Sequence, residues 1–112
     1  MLNADVTNPD QIWTSLGIAA PNEGDMAAAA AGSLRLAVYH VGGALYCTSN
    51  VCTHAFALLT DGWLDEYVVE CPLHAGQFDI RTGCGMGPPI DRPVRTYPIR
   101  VTDGVVEAAL PA

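Results

Sequence analysis

Glycine and proline recur so often along this chain that few stretches are long enough for an amphipathic helix. The sequence has eleven glycines and eight prolines among 112 residues. Both residue types end regular elements and form turns, so their density favours many short strands. We therefore predict an all-β fold, and the length predicts a single domain over residues 1–112.

The clearest predicted element is a hairpin in the first half of the chain. In residues 34–41 the side chains alternate, so that Leu36 and Val38 share one face. The glycine pair at 42–43 then turns the chain back into residues 44–48. This alternation around a glycine turn predicts two antiparallel strands.

The other segments give weaker signals. Five alanines at residues 27–31 are too few to nucleate a helix, and we predict a loop or a single turn there. Trp13 and Trp63 are expected to anchor the core. Further strands are predicted at residues 11–16, 67–70, 77–80, 95–101 and 105–108, and a loop at residues 84–93.

The charge balance narrows the possible partners. Twelve acidic residues oppose five basic ones, for a formal net charge of −7. That charge repels phosphate backbones, so we expect no binding to nucleic acid. Residues 36–60 carry no formal charge, but their glycines, histidines and hydroxyl side chains would be costly in hydrocarbon, so no membrane span is expected.

The start of the chain and its cysteines indicate a compartment. Residues 1–10 contain two acids, no base and no apolar stretch, so they do not resemble a signal peptide. We therefore expect a cytoplasmic protein. Its four cysteines are then expected to be reduced or bound to metal rather than joined as disulfides.

Two short motifs combine residue types that bind soft metals. Cys52 and His54 form Cys-x-His, and sixteen residues later Cys71 and His74 form Cys-x-x-His. Each motif follows a predicted strand end, where irregular backbone lets both side chains turn toward one point. These four residues are the candidate metal ligands, and Thr53 is expected to shape its loop.

Three kinds of metal site could use these donors. Zinc accepts two cysteines and two histidines in a tetrahedron. A mononuclear iron or copper site would also tolerate the set, and a 2Fe-2S cluster could place both cysteines on one iron and both histidines on the other. Zinc fingers usually pair Cys with Cys and His with His, whereas each motif here mixes the two, which favours the two-iron cluster.

On these motifs the sequence resembles the Rieske proteins, whose fingerprint is Cys-x-His followed by Cys-x-x-His. The resemblance is closest over residues 50–97. It implies a Rieske-type fold, an antiparallel β-sandwich of short strands with two cluster-binding loops at one tip. It also implies one 2Fe-2S cluster bound by Cys52, His54, Cys71 and His74, with a proline loop at residues 88–89 covering it.

The chain departs from respiratory-chain Rieske proteins around the ligands. Those proteins carry one further cysteine in each loop, joined as a disulfide, and a serine and a tyrosine that hydrogen-bond to the cluster. The matching residues here are Ala57, Leu73, Gly76 and Phe78. Because hydrogen bonds to cluster sulfur raise the reduction potential, we expect a value near the low end of the Rieske range, about −150 mV.

A low potential resembles that of the small ferredoxins of bacterial aromatic ring-hydroxylating dioxygenase systems. The resemblance implies an electron carrier rather than an enzyme. It would take electrons from a flavin-dependent NAD(P)H reductase and pass them to a terminal oxygenase that has its own Rieske domain. The oxygenase also needs a mononuclear iron held by two histidines and a carboxylate, and here only His40 lies outside the two motifs.

Two other functions stay open at this point. The four ligands could hold a structural zinc ion in a module that binds a protein, or the chain could be the small subunit of a nitrite reductase. For the carrier, we expect Asp61, Asp65, Glu66 and Asp91 to rim an apolar tip and steer basic partners toward it.

Overall fold

The computed structural model describes residues 10–53, 56–90 and 92–111, and within these ranges the regular structure is strands and one 3₁₀ turn. This confirms the predicted all-β class. No helix among the described residues is long and apolar enough to cross a membrane. The elements are β1 (Gln11–Ser15), β2 (Met26–Ala31), β3 (Leu34–Val41), β4 (Ala44–Ser49), the 3₁₀ turn (Leu59–Asp61), β5 (Trp63–Asp65), β6 (Val68–Glu70), β7 (Gln77–Asp79), β8 (Ile99–Thr102) and β9 (Val105–Pro111).

The strands form three small antiparallel sheets. Their strand orders are β1-β9-β8, β2-β3-β4 and β5-β6-β7. An isolated bridge pairs Thr48 of β4 with Thr96, and the Tyr97 N–H donates to the Cys47 carbonyl at 3.0 Å. These contacts join the edge of the second sheet to the chain that leads into β8, so the first two sheets are continuous there.

Strand β3 is the centre of the fold because both of its faces are buried. Leu36 and Val38 pack in a core shared with β9, whereas Ala37 and Tyr39 pack in a second core that contains Phe78 of β7. All five side chains are fully buried, and each large apolar one contributes about 1.5–3 kcal/mol by leaving water. The first core contains no residue of the loops that carry the two motifs, whereas the second core contains Cys52 and Cys71 from those loops.

The alanine run is the main correction to the sequence-based prediction. Residues 27–31, predicted as a loop or turn, lie in β2, which pairs with β3 along its whole length from Met26↔Tyr39 to Ala31↔Leu34. A strand of small side chains gains its stability from the neighbouring strand, because strand preference depends mostly on context. The short run is a poor helix former, but that fact did not exclude a strand.

The tryptophans also differ from expectation. Trp63 begins β5, a strand that was not predicted because three residues are too few to show alternation, and its side chain is 61% exposed rather than in the core. Trp13 is half-buried, and the Arg100 guanidinium carbon lies 4.1 Å from its ring centroid. Arg100 also donates to Glu107 at 2.8 Å, so Trp13 packs under a paired cation at the surface of the first sheet.

Candidate metal centre

Loop 1, residues 51–58, carries the first motif and follows β4. A bridge between Val51 and Leu58 closes it, and the Cys52 N–H donates to the Ala57 carbonyl at 3.0 Å. Cys52 is buried. Its thiol therefore lies beneath the loop, on the side of the second core.

A buried asparagine just before loop 1 holds the two ends of the loop together. The Asn50 side chain donates to the Thr60 hydroxyl at 2.8 Å and accepts from the Thr60 N–H at 2.9 Å. Its backbone carbonyl accepts from the Leu59 N–H at 2.8 Å. The sequence analysis gave no role to Asn50, although an asparagine directly after a strand often hydrogen-bonds to nearby backbone groups.

Loop 2, residues 71–76, carries the second motif and connects β6 to β7. The pair Glu70↔Gln77 closes it, and the Cys71 N–H donates to the Gly76 carbonyl at 2.7 Å. Each motif cysteine thus donates its N–H to the carbonyl five residues later. The two loops share this internal hydrogen bond although their sequences differ after the cysteine.

Loop 2 contains two consecutive left-handed residues that are not glycine. His74 has φ = 66° and Ala75 has φ = 56°. For such residues this backbone region costs about 1–2 kcal/mol each, and strain of this kind concentrates at functional sites. Both residues are exposed. The second motif histidine is therefore presented at the protein surface by a strained turn.

The two motif cysteines meet under the loops. Both side chains belong to the second core, where the Cys52 thiol is close enough to influence the pKa of Cys71. Burial raises the pKa of the Cys71 thiol, a hydrogen bond from the Leu73 N–H lowers it, and the neighbouring Cys52 thiol raises it further. Two buried thiols form a soft donor pair suited to iron or zinc.

The described residues contain no group of three ligand-type side chains around one point. His54 lies outside the described residues. A single tetrahedral zinc ion needs four donors around one centre, whereas a two-iron Rieske cluster needs the cysteines on one iron and the histidines on the other. The buried thiol pair, with His74 at the surface, fits the second donor arrangement.

A third segment, the covering segment of residues 84–94, lies against both loops. It begins with a bridge between Phe78 and Gly85, and its base is closed by the Val94 N–H donating to the Gly83 carbonyl at 2.9 Å. Ile90 packs in the same core as the two thiols. The predicted loop at residues 84–93 is confirmed over its described residues, which contain no strand.

The predicted acidic rim is only partly in place. Asp61 ends the 3₁₀ turn beside loop 1, and Asp91 lies outside the described residues. Asp65 and Glu66 are at the turn between β5 and β6, whereas loop 2 leaves the opposite end of that hairpin at Glu70. The prediction for Asp65 and Glu66 is therefore wrong, because the short hairpin carries them away from the loops.

Comparisons with known proteins identify the family of this chain. Residues 17–98 match the model of the Rieske [2Fe-2S] domain family. The chain is 45% identical over 96 residues to the anthranilate 1,2-dioxygenase ferredoxin subunit of Burkholderia cepacia, which covers 85% of this chain and 89% of the relative.

Two solved structures are similar in both sequence and fold. The ferredoxin of Sphingomonas yanoikuyae B1 has a TM-score of 0.75 and 42% identity, over 80% of this chain and 89% of that one. A chain in the complex of reduced oxygenase and oxidized ferredoxin of carbazole 1,9a-dioxygenase has a TM-score of 0.76 and 35% identity, over 82% of this chain and 98% of that one. These similarities confirm the fold that the motifs implied.

Proposed function

Because the chain belongs to the family of Rieske [2Fe-2S] domains, we propose that it is a one-electron carrier for an aromatic ring-hydroxylating dioxygenase system. It accepts an electron from a flavin-dependent NAD(P)H reductase and passes it to the terminal oxygenase. The observation that carries this proposal is the pair of buried thiols, Cys52 and Cys71, where two matching loops meet. We place this carrier in the cytoplasm as a single domain over residues 1–112.

We propose Cys52, His54, Cys71 and His74 as the ligands of one 2Fe-2S cluster. When bound, such a cluster supplies a centre that takes up and releases one electron. The two cysteines lie on the buried side of the loops, and His74 lies on the exposed side. The imidazole side is therefore the proposed route for the electron, because it is nearer to a docked partner.

Several features of the chain favour a low reduction potential. Gly76 and Phe78 occupy positions where a hydroxyl donor would raise the potential, and neither side chain can donate. Reduction also adds a negative charge to a chain whose formal net charge is already −7. A carrier with these properties is suited to electrons from a flavin rather than from a quinol.

The surface around the loops is suited to brief contact with a partner. Large apolar side chains are exposed on loop 1 at Phe56, on loop 2 at Leu73 and on the covering segment at Met86. Because the covering segment contacts both loops, we infer that these side chains lie on one surface, and an exposed apolar surface is typical of an interaction site. We propose that the oxygenase binds here, because this surface brings it close to His74.

Within the chain, His40 does not extend the site. Its Nδ1 lies 2.8 Å from the Pro21 carbonyl, and its Nε2 lies 3.5 Å from the Glu23 carboxylate. These contacts tie the preceding loop to the hairpin of β3 and β4. His40 is therefore not proposed as a metal ligand.

The proposed function is tested by measuring iron, acid-labile sulfide and the EPR spectrum of the dithionite-reduced protein. We expect the axial-to-rhombic signal of a Rieske cluster, and we expect Cys71→Ala to abolish it. Cys84→Ala is the matched control, because Cys84 is exposed and lies outside the two loops. A protein that contains zinc and no labile sulfide would contradict the proposal.

The carrier role is tested with a reductase and an oxygenase of the same class. Hydroxylated product should form from NAD(P)H only when this chain is added, and the rate should rise with its concentration. If His74→Ala, which removes a proposed ligand, supported turnover as well as the unaltered chain does, the proposed route through the imidazole side would be wrong.

A further inference from the structure

The covering segment is joined to loop 1 by two reciprocal hydrogen bonds. The Thr53 hydroxyl donates to the Arg92 carbonyl at 2.9 Å, and the Arg92 guanidinium Nη2 donates to the Thr53 carbonyl at 3.1 Å. Thr53 stands between the two proposed ligands of loop 1. Arg92 therefore holds the backbone of the motif itself rather than a neighbouring turn.

The same segment contacts loop 2 through Ile90. A Cβ at Gly76, the last residue of loop 2, would lie 2.5 Å from Ile90 Cδ1 and 3.1 Å from Ile90 Cγ1. Gly85, at the start of the segment, leaves similarly little room for a Cβ on the other side of Ile90. Ile90 therefore fills a slot between the two glycines, and it is nearly buried there.

No covalent bond joins the two loops. All four cysteines are free. The covering segment contacts both loops, through Arg92 at Thr53 and through Ile90 at Gly76, and the two motif cysteines share the second core. A group bound between the loops would be released when they separate, so whatever holds them together governs its retention.

We propose that Arg92 and Ile90 are positioning residues that form a noncovalent clasp, holding loop 1 against loop 2 and slowing the loss of the bound cluster. Arg92 secures loop 1 through Thr53, and Ile90 secures loop 2 through the slot at Gly76. The proposal rests on the proposed cluster-binding function. It adds that two residues outside both motifs control how long the cluster stays bound.

The first test measures the rate at which the holoprotein loses its visible absorption in excess iron chelator. Arg92→Met should lose the cluster about tenfold faster, the low end of the factor expected for one lost hydrogen bond to a charged group. Arg92→Lys should be partly rescued, because an ammonium can still donate to the Thr53 carbonyl. Thr53→Val, which leaves the charge unchanged, should also be faster than the unaltered chain.

Arg95→Met is the matched control for charge. Arg95 is exposed and lies three residues further along the chain, and its described hydrogen bond is made by the backbone, whose carbonyl accepts from the Ser49 N–H at 2.8 Å. We expect its loss rate to equal that of the unaltered chain. Equal rates for Arg92→Met and Arg95→Met would overturn the role of Arg92.

The second test is a rescue. Gly76→Ala should speed cluster loss by forcing Ile90 out of its slot, since the new methyl group overlaps Cδ1. Ile90→Val removes Cδ1, so the double variant should lose the cluster more slowly than Gly76→Ala alone. A merely structural role would make the two changes additive, and additive rates would overturn the role of Ile90.

The EPR spectrum of each variant is recorded before chelation. We expect g-values close to those of the unaltered chain, because the clasp contains no ligand, together with altered loss rates. If the unaltered protein shows no Rieske signal, the proposed function fails and the clasp proposal fails with it. If the signal is present and no clasp variant changes the loss rate, the clasp proposal alone is wrong.

Discussion

Loop 1 and loop 2 share the hydrogen bond from the cysteine N–H to the carbonyl five residues later, but the protein supports them by different means. Loop 1 is held by polar side chains, Asn50 at its base and Arg92 at Thr53. Loop 2 is held by the paired strands β6 and β7 above the buried ring of Phe78. One loop depends on a few specific hydrogen bonds and the other on a sheet and its core.

Because of this difference, the two loops should be destabilised by different kinds of substitution. Removing one buried polar partner leaves the other unsatisfied, which costs more than the hydrogen bond itself contributed. Removing a buried ring creates a cavity whose cost is spread over the surrounding core. Loop 1 should therefore respond to small polar changes, and loop 2 should respond to changes in packed volume.

The largest expected effect is on the support of loop 2. Phe78→Ala should lower the free energy of unfolding by about 3–5 kcal/mol, because a fully buried ring leaves a cavity beneath β6 and β7. The measurement is the urea midpoint of the holoprotein by far-UV circular dichroism. Phe56→Ala makes the same chemical change at a fully exposed position and should stay within about 0.5 kcal/mol of the unaltered chain. A small effect at Phe78 would show that the sheet does not support loop 2.

The second effect concerns loop 1. Asn50→Ala removes both side-chain bonds to Thr60 and should cost about 1–3 kcal/mol, because the Thr60 N–H loses its partner. The same urea titration measures it. Asn22→Ala is the matched control, since Asn22 is exposed and contributes its backbone carbonyl, not its side chain, to the bond with Asp25. Equal midpoints for the two variants would contradict the clamp at Asn50.

The sequence predicted the parts of this fold that local patterns encode. The hairpin of β3 and β4 follows from alternation and a glycine turn, and the motifs follow from residue type and spacing alone. The alanine strand β2 could not be predicted in this way, because it exists through its pairing with β3. Trp63 was misplaced for a related reason, since a strand of three residues has too little pattern to reveal which face is buried.

The residues that hold the two loops in place were harder to predict from the sequence than the candidate metal ligands. Cys52 and Cys71 are far apart in sequence, yet both are buried in the second core. Arg92 and Ile90 contact the loops across 39 and 14 positions of sequence. No local rule links such residues, because their roles arise from where the covering segment crosses the loops.

A smaller effect distinguishes the backbones of the two loops. Ala75→Gly should raise the free energy of unfolding by about 0.5–1 kcal/mol, because relief of the left-handed strain exceeds the entropy gained by the unfolded chain. Ala57→Gly in loop 1 should instead lower it by about 1 kcal/mol or more, because Ala57 is not left-handed, the unfolded chain gains entropy, and a methyl group packed against the second core is lost. Urea titration of both variants checks the opposite signs. The same sign in both would mean that loop 2 is not strained.

The smallest effect is a pH dependence in the sheet that supports loop 2. Arg81 donates to both carboxylate oxygens of Asp79, and this hydrogen-bonded pairing, with added bonds from backbone N–H groups, lowers the pKa of Asp79. A carboxyl with a lowered folded pKa binds protons more weakly than in the unfolded chain. Its stabilising contribution is therefore complete above the ordinary aspartate pKa of about 3.9 and is lost as the pH falls through the lower folded value.

Asp79→Asn removes the titrating carboxyl, so its urea midpoint should lie below that of the unaltered chain at pH 7 and approach it as the pH falls below about 3.9 through the lowered folded pKa. Asp65→Asn, an exposed change on β5 of the same sheet, corrects for the loss of one surface charge. The described bonds that support loop 1 are those of Asn50 to Thr60 and of Arg92 to Thr53. A midpoint difference that stays constant from pH 7 to the acid limit would show that the Asp79–Arg81 pair does not stabilise the sheet beneath loop 2.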